Sequence, residues 1–292
     1  MHKYLRSVGF SLYKNEGEIK VLLDRLQEQN ISKAYVVNTL NDDIRWEIRA
    51  EISPGMGVSM SGTVDENGEF VREWYTPYFE AEEISSDVEC SIQRHVDNEV
   101  YSGLLDDNRV GISLIFRLDN AMEYLERKKK LQTTHTRGIQ LTAFSSNGKI
   151  LLPMKKSTRQ KQLSEVANKT RDSLIEAAKK GDENAMESLT NEDINLYSVI
   201  SRRMLKEDIY SIIDSCFMPQ GIECDIYSVI GDIVEMESKT NDMTGEEIWD
   251  FLIDCNDVLF HVATNKADLQ GDPQPGRRFK GTIWMQGRAV WA

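Results

Sequence analysis

Basic and aromatic side chains alternate near the end of the chain, in a pattern that could bind nucleic acid. Residues 266–292 contain five Lys or Arg against two Asp, a local charge of +3 that leaves −16 for the rest of a chain of net charge −13. Alternate residues of a strand share a face, so Arg278, Lys280 and Trp284 would lie together, with Arg277 beside them. Cations beside an aromatic ring bind single-stranded nucleic acid by neutralising phosphate and stacking on bases. These four residues are therefore the predicted binding residues.

The same strand has a structural interpretation. Phe279 and Trp284 could belong to the core. Arg278 and Lys280 could then pair with the acidic residues of positions 225–257, which are close in sequence. The sequence favours this alternative, and the exposure of Trp284 decides between the two.

Nucleophilic catalysis has two candidates, and both fail on context. Cys255 and His261 stand six residues apart, but neighbouring carboxylates would raise the pKa of the thiol instead of activating it. The segment GVSMSG (57–62) breaks the G-x-S-x-G pattern at Ser61 and lies in a predicted hairpin rather than a strand-to-helix turn. We therefore predict no catalytic residue.

Metal and cofactor motifs are missing from the sequence. The four histidines are far apart, none has a second His or Cys at chelating distance, and there is no calcium loop or phosphate-binding loop. The four cysteines are scattered and form no CxxC pair, which predicts reduced and mostly buried thiols. The predicted cofactor and metal content is none.

Composition predicts a folded protein of about two domains. The chain has 292 residues, of which 40% are hydrophobic and 28% charged. No stretch approaches the roughly 20 apolar residues of a membrane span, and the first residues lack the pattern of a signal peptide. We expect a cytoplasmic location. The net charge of −13 opposes binding to nucleic acid or an anionic membrane, and favours a protein or a small ligand as the partner.

The N-terminal half predicts a mixed sheet with two helices. Asn15 and Glu18 form a capping box before an amphipathic helix, and Asp119 or Asn120 caps a second helix that ends near Leu131. The predicted strands cover residues 34–37, 44–52, 56–64, 70–75, 88–93, 109–118, 139–144 and 149–154. Asn-Gly pairs at 67–68 and 147–148 predict two hairpins among these strands.

The second half predicts helices followed by a return to strands. A helical pattern covers 157–206, with a break at Gly181-Asp182 and a further helix that begins near Thr190. After residue 218 the predicted strands are 223–234, 247–253, 258–262 and 278–285, separated by turn residues. Short strands at this spacing favour a small β-barrel, for which the OB fold is a candidate.

The predicted fold class is therefore α+β, in three segments. Residues 1–156 form an N-terminal domain with a mixed antiparallel sheet, 157–206 a helical bridge, and 207–292 a C-terminal domain resembling a β-barrel.

Four segments carry a resemblance to a known family. They are YLRSVGFS (4–11), DNRVGISLIF (107–116), MPQGIECD (218–225) and PGRRFKGTIWMQG (275–287). Together they resemble a bacterial family of uncharacterised proteins that is classed as a domain of unknown function. The resemblance covers nearly the whole chain, and it implies a bacterial cytosolic protein without implying an activity.

Two hypotheses about function follow. The first is a non-catalytic binding or adaptor protein that acts through the barrel surface or a groove between domains, because each catalytic pattern fails its spacing or context. The second is an enzyme whose site is assembled from distant residues at the domain junction, with His95 and His261 among the candidates. A deep pocket with converging titratable groups would favour the enzyme.

Overall fold

The structure is a computed structural model that describes residues 3–29, 31–38, 44–94, 100–131, 135–154, 158–221 and 224–292. Its α-helices are α1 (Glu16–Gln29), α2 (Ala121–Leu131), α3 (Thr158–Lys179) and α4 (Glu183–Met204), and short 3-10 helices cover Lys3–Val8, Ile209–Ser211 and Lys266–Asp268. The strands are β1 (Ile31–Asn38), β2 (Ile44–Ser53), β3 (Met56–Val64), β4 (Phe70–Phe79), β5 (Cys90–Arg94), β6 (Tyr101–Leu105), β7 (Leu114–Leu118), β8 (Thr136–Leu151), β9 (Cys216–Pro219), β10 (Ile226–Thr240), β11 (Glu247–Cys255), β12 (Val258–Asn265), β13 (Leu269–Gln270) and β14 (Arg278–Trp291). None of the described helices has both the length and the apolar character needed to cross a membrane.

Sheet A is antiparallel and consists of β1 to β4 in sequence order. Apolar residues such as Ile48 and Val58 cover one face, where they share a buried cluster with α1 and the 3-10 helix Lys3–Val8. The predicted capping box begins α1. The amide of Glu18 donates to Asn15 Oδ1 at 2.9 Å, and the amide of Asn15 donates to Glu18 Oε2 at 3.4 Å. The prediction for this helix is confirmed.

Sheet B is a ten-stranded mixed sheet with the order β13-β8-β12-β11-β10-β14-β7-β6-β5, and β9 pairs with β10 beside this path. β8 pairs in parallel with β12 and antiparallel with β14, so the pairings from β8 through β12, β11, β10 and β14 return to β8. Fully buried aromatic residues including Phe116, Phe251 and Phe279 pack inside this arrangement. The mixed α+β class is confirmed.

Sheet B takes strands from both halves of the chain. β5 to β8 come from the predicted segment 1–156, β9 to β14 come from the segment 207–292, and β14 pairs with both β7 and β8. The helices α3 and α4 lie between the two groups in sequence, as predicted for 157–206. The division into three domains stays a prediction.

The predicted hairpin at Asn147-Gly148 is wrong. β8 runs without a turn through Thr136–Leu151 and pairs with β14 over this length. A Cβ on Gly148 would lie 2.7 Å from Cε2 of Phe279 and 2.8 Å from Cδ1 of Leu269. Glycine is therefore required here because an aromatic ring packs against the strand, not because the chain reverses direction.

The break between α3 and α4 is confirmed. Gly181 has φ of 91°, and Asp182 Oδ1 accepts the amides two and three residues later at 2.9 and 3.3 Å. The prediction of a further helix near Thr190 is wrong, because α4 continues unbroken through Glu183–Met204. Thr190 Oγ1 donates to the carbonyl of Met186 at 2.8 Å, a bond that a residue within a helix can make.

Most of the other strand predictions are confirmed. β3 and β4 form the hairpin around Asn67-Gly68, and the four predicted C-terminal strands correspond to β10, β11, β12 and β14. Asn256 and Asp257 have positive φ angles of 57° and 61°, which suit the two-residue turn between β11 and β12. The sequence analysis missed β6, and the strand predicted at 109–118 begins only at Leu114.

We expect Gly148→Ala to lower the free energy of unfolding by about 1–3 kcal/mol, because the added methyl group would overlap the ring of Phe279. The matched control is Gly17→Ala in α1, where the new Cβ would meet only Asn15 Oδ1 at 3.4 Å. It should be neutral or stabilising by up to about 1 kcal/mol, since alanine has the higher helix propensity. Urea unfolding monitored by circular dichroism measures both. If Gly148→Ala has the same free energy of unfolding as the wild type, the packing of the Phe279 ring against Gly148 is contradicted.

Candidate functional site

Trp284, the aromatic residue of the predicted binding strand, is buried, with 5% of its surface exposed. Its ring stacks on Tyr4 with 5.5 Å between centroids and lies 5.8 Å from the ring of Phe144. The indole N–H donates to Asp225 Oδ2 at 2.7 Å. The chain itself thus covers the faces on which a base would stack.

Arg278 is also buried and holds backbone carbonyl groups. Its N–H groups donate to the carbonyl oxygens of Tyr210 at 2.7 Å, Ile213 at 2.7 Å and Leu152 at 3.1 Å. These oxygens belong to the segment after α4 and to the end of β8. Arg278 therefore joins these two segments to β14. It pairs with backbone carbonyl groups and not, as the structural interpretation expected, with acidic side chains.

The other two predicted residues have partners within the chain. Arg277 Nη1 lies 3.3 Å from Asp272 Oδ2, and Lys280 Nζ lies 4.3 Å from the centroid of the Tyr210 ring, whose hydroxyl it also contacts. The four residues do not meet on one exposed face. Their role in binding stays a prediction, and stacking on Trp284 would require the core to rearrange.

A cleft of about 1230 Å³ lies between the α3–α4 hairpin and the loops at one end of sheet B. Its lining includes three basic residues and eight aspartates. The basic residues are Arg109, Arg171 and Lys179, and the aspartates are Asp106, Asp107, Asp172, Asp193, Asp214, Asp232, Asp254 and Asp257. Sequence analysis missed this site because its residues come from distant segments and share no local spacing.

One carboxylate of the cleft is fully engaged by the chain. Asp107 is buried and accepts hydrogen bonds from Arg109 Nε at 2.9 Å and Ser86 Oγ at 2.6 Å. Burial raises the pKa of Asp107, but these bonds lower it more, so the net pKa is below the usual value. Arg109 also donates to the carbonyls of Asp257 at 2.7 Å and Ser85 at 3.0 Å. This ion pair fixes the loop between β6 and β7.

Two other aspartates face each other on neighbouring strands. Asp232 of β10 is the direct partner of Asp254 of β11, and no Lys or Arg in the described ranges forms an ion pair with either. Burial raises the pKa of Asp254, and the negative charge of Asp257 raises it further. Like charges directly opposite each other destabilise a sheet. A cationic group bound between them would relieve this repulsion.

Among the side chains that the structure describes, those of the α3–α4 hairpin make few contacts with the sheet. Ala185 is the buried residue of α4. Lys179 Nζ donates to Asn108 Oδ1 at 2.7 Å, and Arg171 pairs with Asp193 at 2.7 Å across the two helices. Large apolar side chains are exposed on α4 and directly after it, namely Met186, Ile194, Leu196, Tyr197, Val199, Met204 and Leu205. Exposed apolar patches are typical of surfaces that bind a partner.

Cys255 is a core residue, as the sequence analysis favoured. It is fully buried, and its thiol donates to the carbonyls of Ile230 at 3.2 Å and Cys216 at 3.3 Å. Burial raises the pKa of this thiol, which opposes formation of the thiolate. His261 is the strand partner of Leu252 and does not lie opposite the cysteine.

His261 connects two parts of the chain through its ring. Nδ1 lies 2.7 Å from Asp250 Oδ1, and Nε2 lies 2.8 Å from Glu83 Oε2 in the segment after β4. Burial lowers the pKa of His261, but the two carboxylates raise it more, so the net pKa lies above the usual value. The protonated ring can donate to both carboxylates. His95, the other histidine considered for catalysis, lies outside the described residues.

We expect Arg278→Lys to lower the free energy of unfolding by about 2–4 kcal/mol, because an ammonium group cannot reach all three carbonyl oxygens. Arg277→Lys is the matched control, since that side chain contacts only the nearby Asp272 residue. Its effect should stay below about 0.5 kcal/mol. Thermal unfolding of both variants measures this difference. Equal losses of unfolding free energy in the two variants would contradict a stabilising role for the three Arg278 hydrogen bonds.

His261→Asn should remove a pH-dependent part of the stability. The folded-state pKa of His261 is raised, so the contribution of this group is complete below its unfolded pKa of about 6.5 and is lost as pH rises through the folded pKa. The difference in unfolding free energy between wild type and variant should therefore be widest near pH 5.5 and narrow towards pH 9. If the difference in unfolding free energy is constant over this pH range, the protonated His261 does not stabilise the fold through its two carboxylates.

The comparisons with known proteins give a family and nothing further. The family model described as "Domain of unknown function, E. rectale Gene description (DUF3881)" matches residues 5–287. No curated protein and no solved structure matches the sequence. Because the family model covers nearly the whole chain, this protein belongs to the DUF3881 family.

Proposed function

We propose that the protein is a non-catalytic binding protein, an adaptor, whose acidic cleft receives a basic segment of a partner protein. The observation that carries this proposal is a cleft of about 1230 Å³ lined by eight aspartates and three basic residues. A Lys or Arg of the partner placed between Asp232 and Asp254 would separate two opposed carboxylates. Complementary charge also speeds association and selects the partner.

The size of the cleft favours a peptide segment over a metal ion or a small molecule. Pockets for small molecules usually measure about 300–1000 Å³, and this cleft is larger. Within the part of the chain that the structure describes, no three His, Cys, Asp or Glu side chains lie close enough together to hold a metal ion. A segment with several Lys or Arg could reach the separated aspartates at the same time.

The exposed apolar residues of the hairpin support a second contact with the same partner. Ile194, Tyr197 and Leu205 are 58%, 75% and 85% exposed, and they belong to the element that forms one wall of the cleft. Apolar and aromatic anchors supply much of the binding energy in protein interfaces. A partner with basic residues in the cleft and apolar residues against α4 would cover both features.

Nucleic acid and catalysis have less support. The net charge of −13 repels a polyanion, and Trp284 presents no ring for stacking. The described residues that line the cleft include no His or Cys, the side chains most used as bases and strong nucleophiles. We further propose that the ring of β8, β12, β11, β10 and β14 is a small β-barrel of the OB type, and that the partner binds at one end of it.

Asp232→Asn combined with Asp254→Asn should weaken binding of a basic peptide and stabilise the free protein. The probe is a fluorescein-labelled peptide of alternating Lys and Leu, measured by anisotropy at 50 and 300 mM NaCl. We expect binding at least about ten-fold weaker, because two opposed charges are lost. The unfolding free energy should rise by about 0.5–1 kcal/mol at pH 7. This gain should shrink as the pH falls through the raised pKa of Asp254, because a neutral Asp254 no longer repels the opposite carboxylate.

The matched control removes the same charge elsewhere. Glu66→Gln combined with Glu69→Gln changes two residues of the turn between β3 and β4, neither of which lines the cleft. This variant should bind the peptide with wild-type affinity. If both double variants lose affinity equally, net charge alone attracts the peptide and the cleft is not the site.

A further inference from the structure

A layer of charged side chains is buried between sheet A and strand β7. Residues 45–49 of β2 alternate charged and apolar side chains, and the charged set lies on the face opposite the apolar cluster with α1. Arg49 is 2% exposed and Glu47 is 6% exposed. An alternating strand usually turns its charged face to water, so the burial of this face needs an explanation.

Most charges of this layer are paired within it. Arg49 Nε donates to Glu47 Oε1 at 3.0 Å, and Arg49 Nη2 donates to Asp119 Oδ2 at 3.1 Å. Arg288 lies 3.9 Å from Asp119 and 3.3 Å from Glu123. Arg49 thus pairs with both Glu47 and Asp119, although its Nη1 has no hydrogen-bond partner among the described residues.

Arg117 of β7 is different, because its guanidinium forms no ion pair with a carboxylate in the part of the chain that the structure describes. Asp119, the nearest acidic residue in sequence, forms its ion pairs with Arg49 and Arg288. The described contact of the Arg117 guanidinium is with the ring of Trp74, 4.9 Å away. Burial lowers the pKa of Arg117, and nearby carboxylates offset this only in part. Stacking on one face of the guanidinium fixes its plane and leaves the N–H edge available.

This guanidinium lines a cavity of about 30 Å³ together with Arg45, Glu47 and Asp119, and Arg49 pairs with both of these carboxylates. The hydroxyl side chains of Ser59, Ser61 and Thr76 line the cavity from β3 and β4. Gln286 of β14 is the direct strand partner of Arg117 and is 1% exposed. Its Nε2 donates to the carbonyl of Pro77 at 2.9 Å, but its Oε1 has no hydrogen-bond partner in the described residues. A buried acceptor without a donor is costly and points to a missing one.

We propose that this cavity binds a small oxyanion that carries one O–H donor, of the hydrogencarbonate class. The two oxygens of the anion would accept a paired set of N–H bonds from Arg117, the geometry in which guanidinium groups recognise carboxylates. The O–H group would donate to Gln286 Oε1, and the serine and threonine hydroxyls would donate to the remaining lone pairs. The cavity exceeds the roughly 10–15 Å³ that one water molecule needs, and it suits an anion of only a few atoms.

The site is independent of the acidic cleft. No residue that lines the cavity also lines the cleft, and the two have opposite requirements for ligand charge. Loss of peptide binding would therefore leave this proposal standing, and the absence of an anion site would leave the adaptor proposal standing.

Thermal unfolding of the full chain at pH 8 tests the proposal. The samples contain 50 mM sodium hydrogencarbonate, sodium nitrate or sodium chloride at equal ionic strength. We expect a Kd on the order of 1 mM for hydrogencarbonate, which corresponds to a Tm about 4 °C above that in chloride. Nitrate has a similar planar shape but no O–H, so its shift should be less than half as large.

Three variants assign the effect to the cavity. Arg117→Met should abolish the response to both oxyanions, while Gln286→Met should remove the preference for hydrogencarbonate over nitrate. Arg277→Met removes an arginine that lies outside the cavity and should respond as the wild type does. If Arg117→Met does not fold, Arg117→Lys is measured instead. Its Kd for hydrogencarbonate should be at least ten-fold higher than that of the wild type. An equal Tm in hydrogencarbonate and chloride for the wild type, or an unchanged response in the Arg117 variant, would overturn the proposal.

Discussion

The antiparallel pairing of β8 with β14 is the constraint on which the rest of the structure depends. The two strands pair from Leu151 with Arg278 at one end to Thr136 with Trp291 at the other. Each also pairs with further strands, β8 with β12 and β14 with β10 and β7. The close approach is possible because Gly148 and Gly281 both leave space for the ring of Phe279. The pairing thereby brings strands from both halves of the chain into one sheet.

Both candidate sites follow from this arrangement. At one end of the ring, the β11–β12 turn and the loop held by Arg109 form a fixed base for the acidic cleft. The other wall is the α3–α4 hairpin, whose described side chains make few contacts with the sheet and include exposed apolar ones. On the outer side of β14, Gln286 meets Arg117 and the charged face of sheet A. Sheet B thus contributes residues to both the acidic cleft and the polar cavity.

The features predicted correctly from sequence depend on nearby residues. The cap of Asn15 and Glu18 and the break at Gly181-Asp182 need only a few residues to form, so the sequence pattern was enough. Asn147-Gly148 has the same local pattern as a hairpin, but pairing with a distant strand overrides it. For the same reason, spacing could not show that Trp284 is buried.

The candidate sites could not be predicted from local sequence patterns, because these patterns do not show which residues are buried or which distant segments meet. The alternation in β2 indicated a strand with a charged face, and only the tertiary packing shows that this face is covered by β7. The cleft gathers aspartates from loops, turns, strands and two helices, and each of them is unremarkable when the sequence is read position by position. A charge alternation of Arg45, Glu47 and Arg49 between apolar residues was the one available signal for the buried layer.

We propose that the strands β8, β12, β11, β10 and β14 form a stable unit and that the helical hairpin is free to bind a partner. Hydrogen–deuterium exchange followed by mass spectrometry of the free protein tests it most directly. We expect peptides from β8, β14 and β10 to exchange slowest and at the same rate, because their amides should open only when the whole protein unfolds. Peptides from α4 should exchange much faster. Exchange of α4 as slow as that of the ring, or exchange of β8 well before β14, would contradict the account.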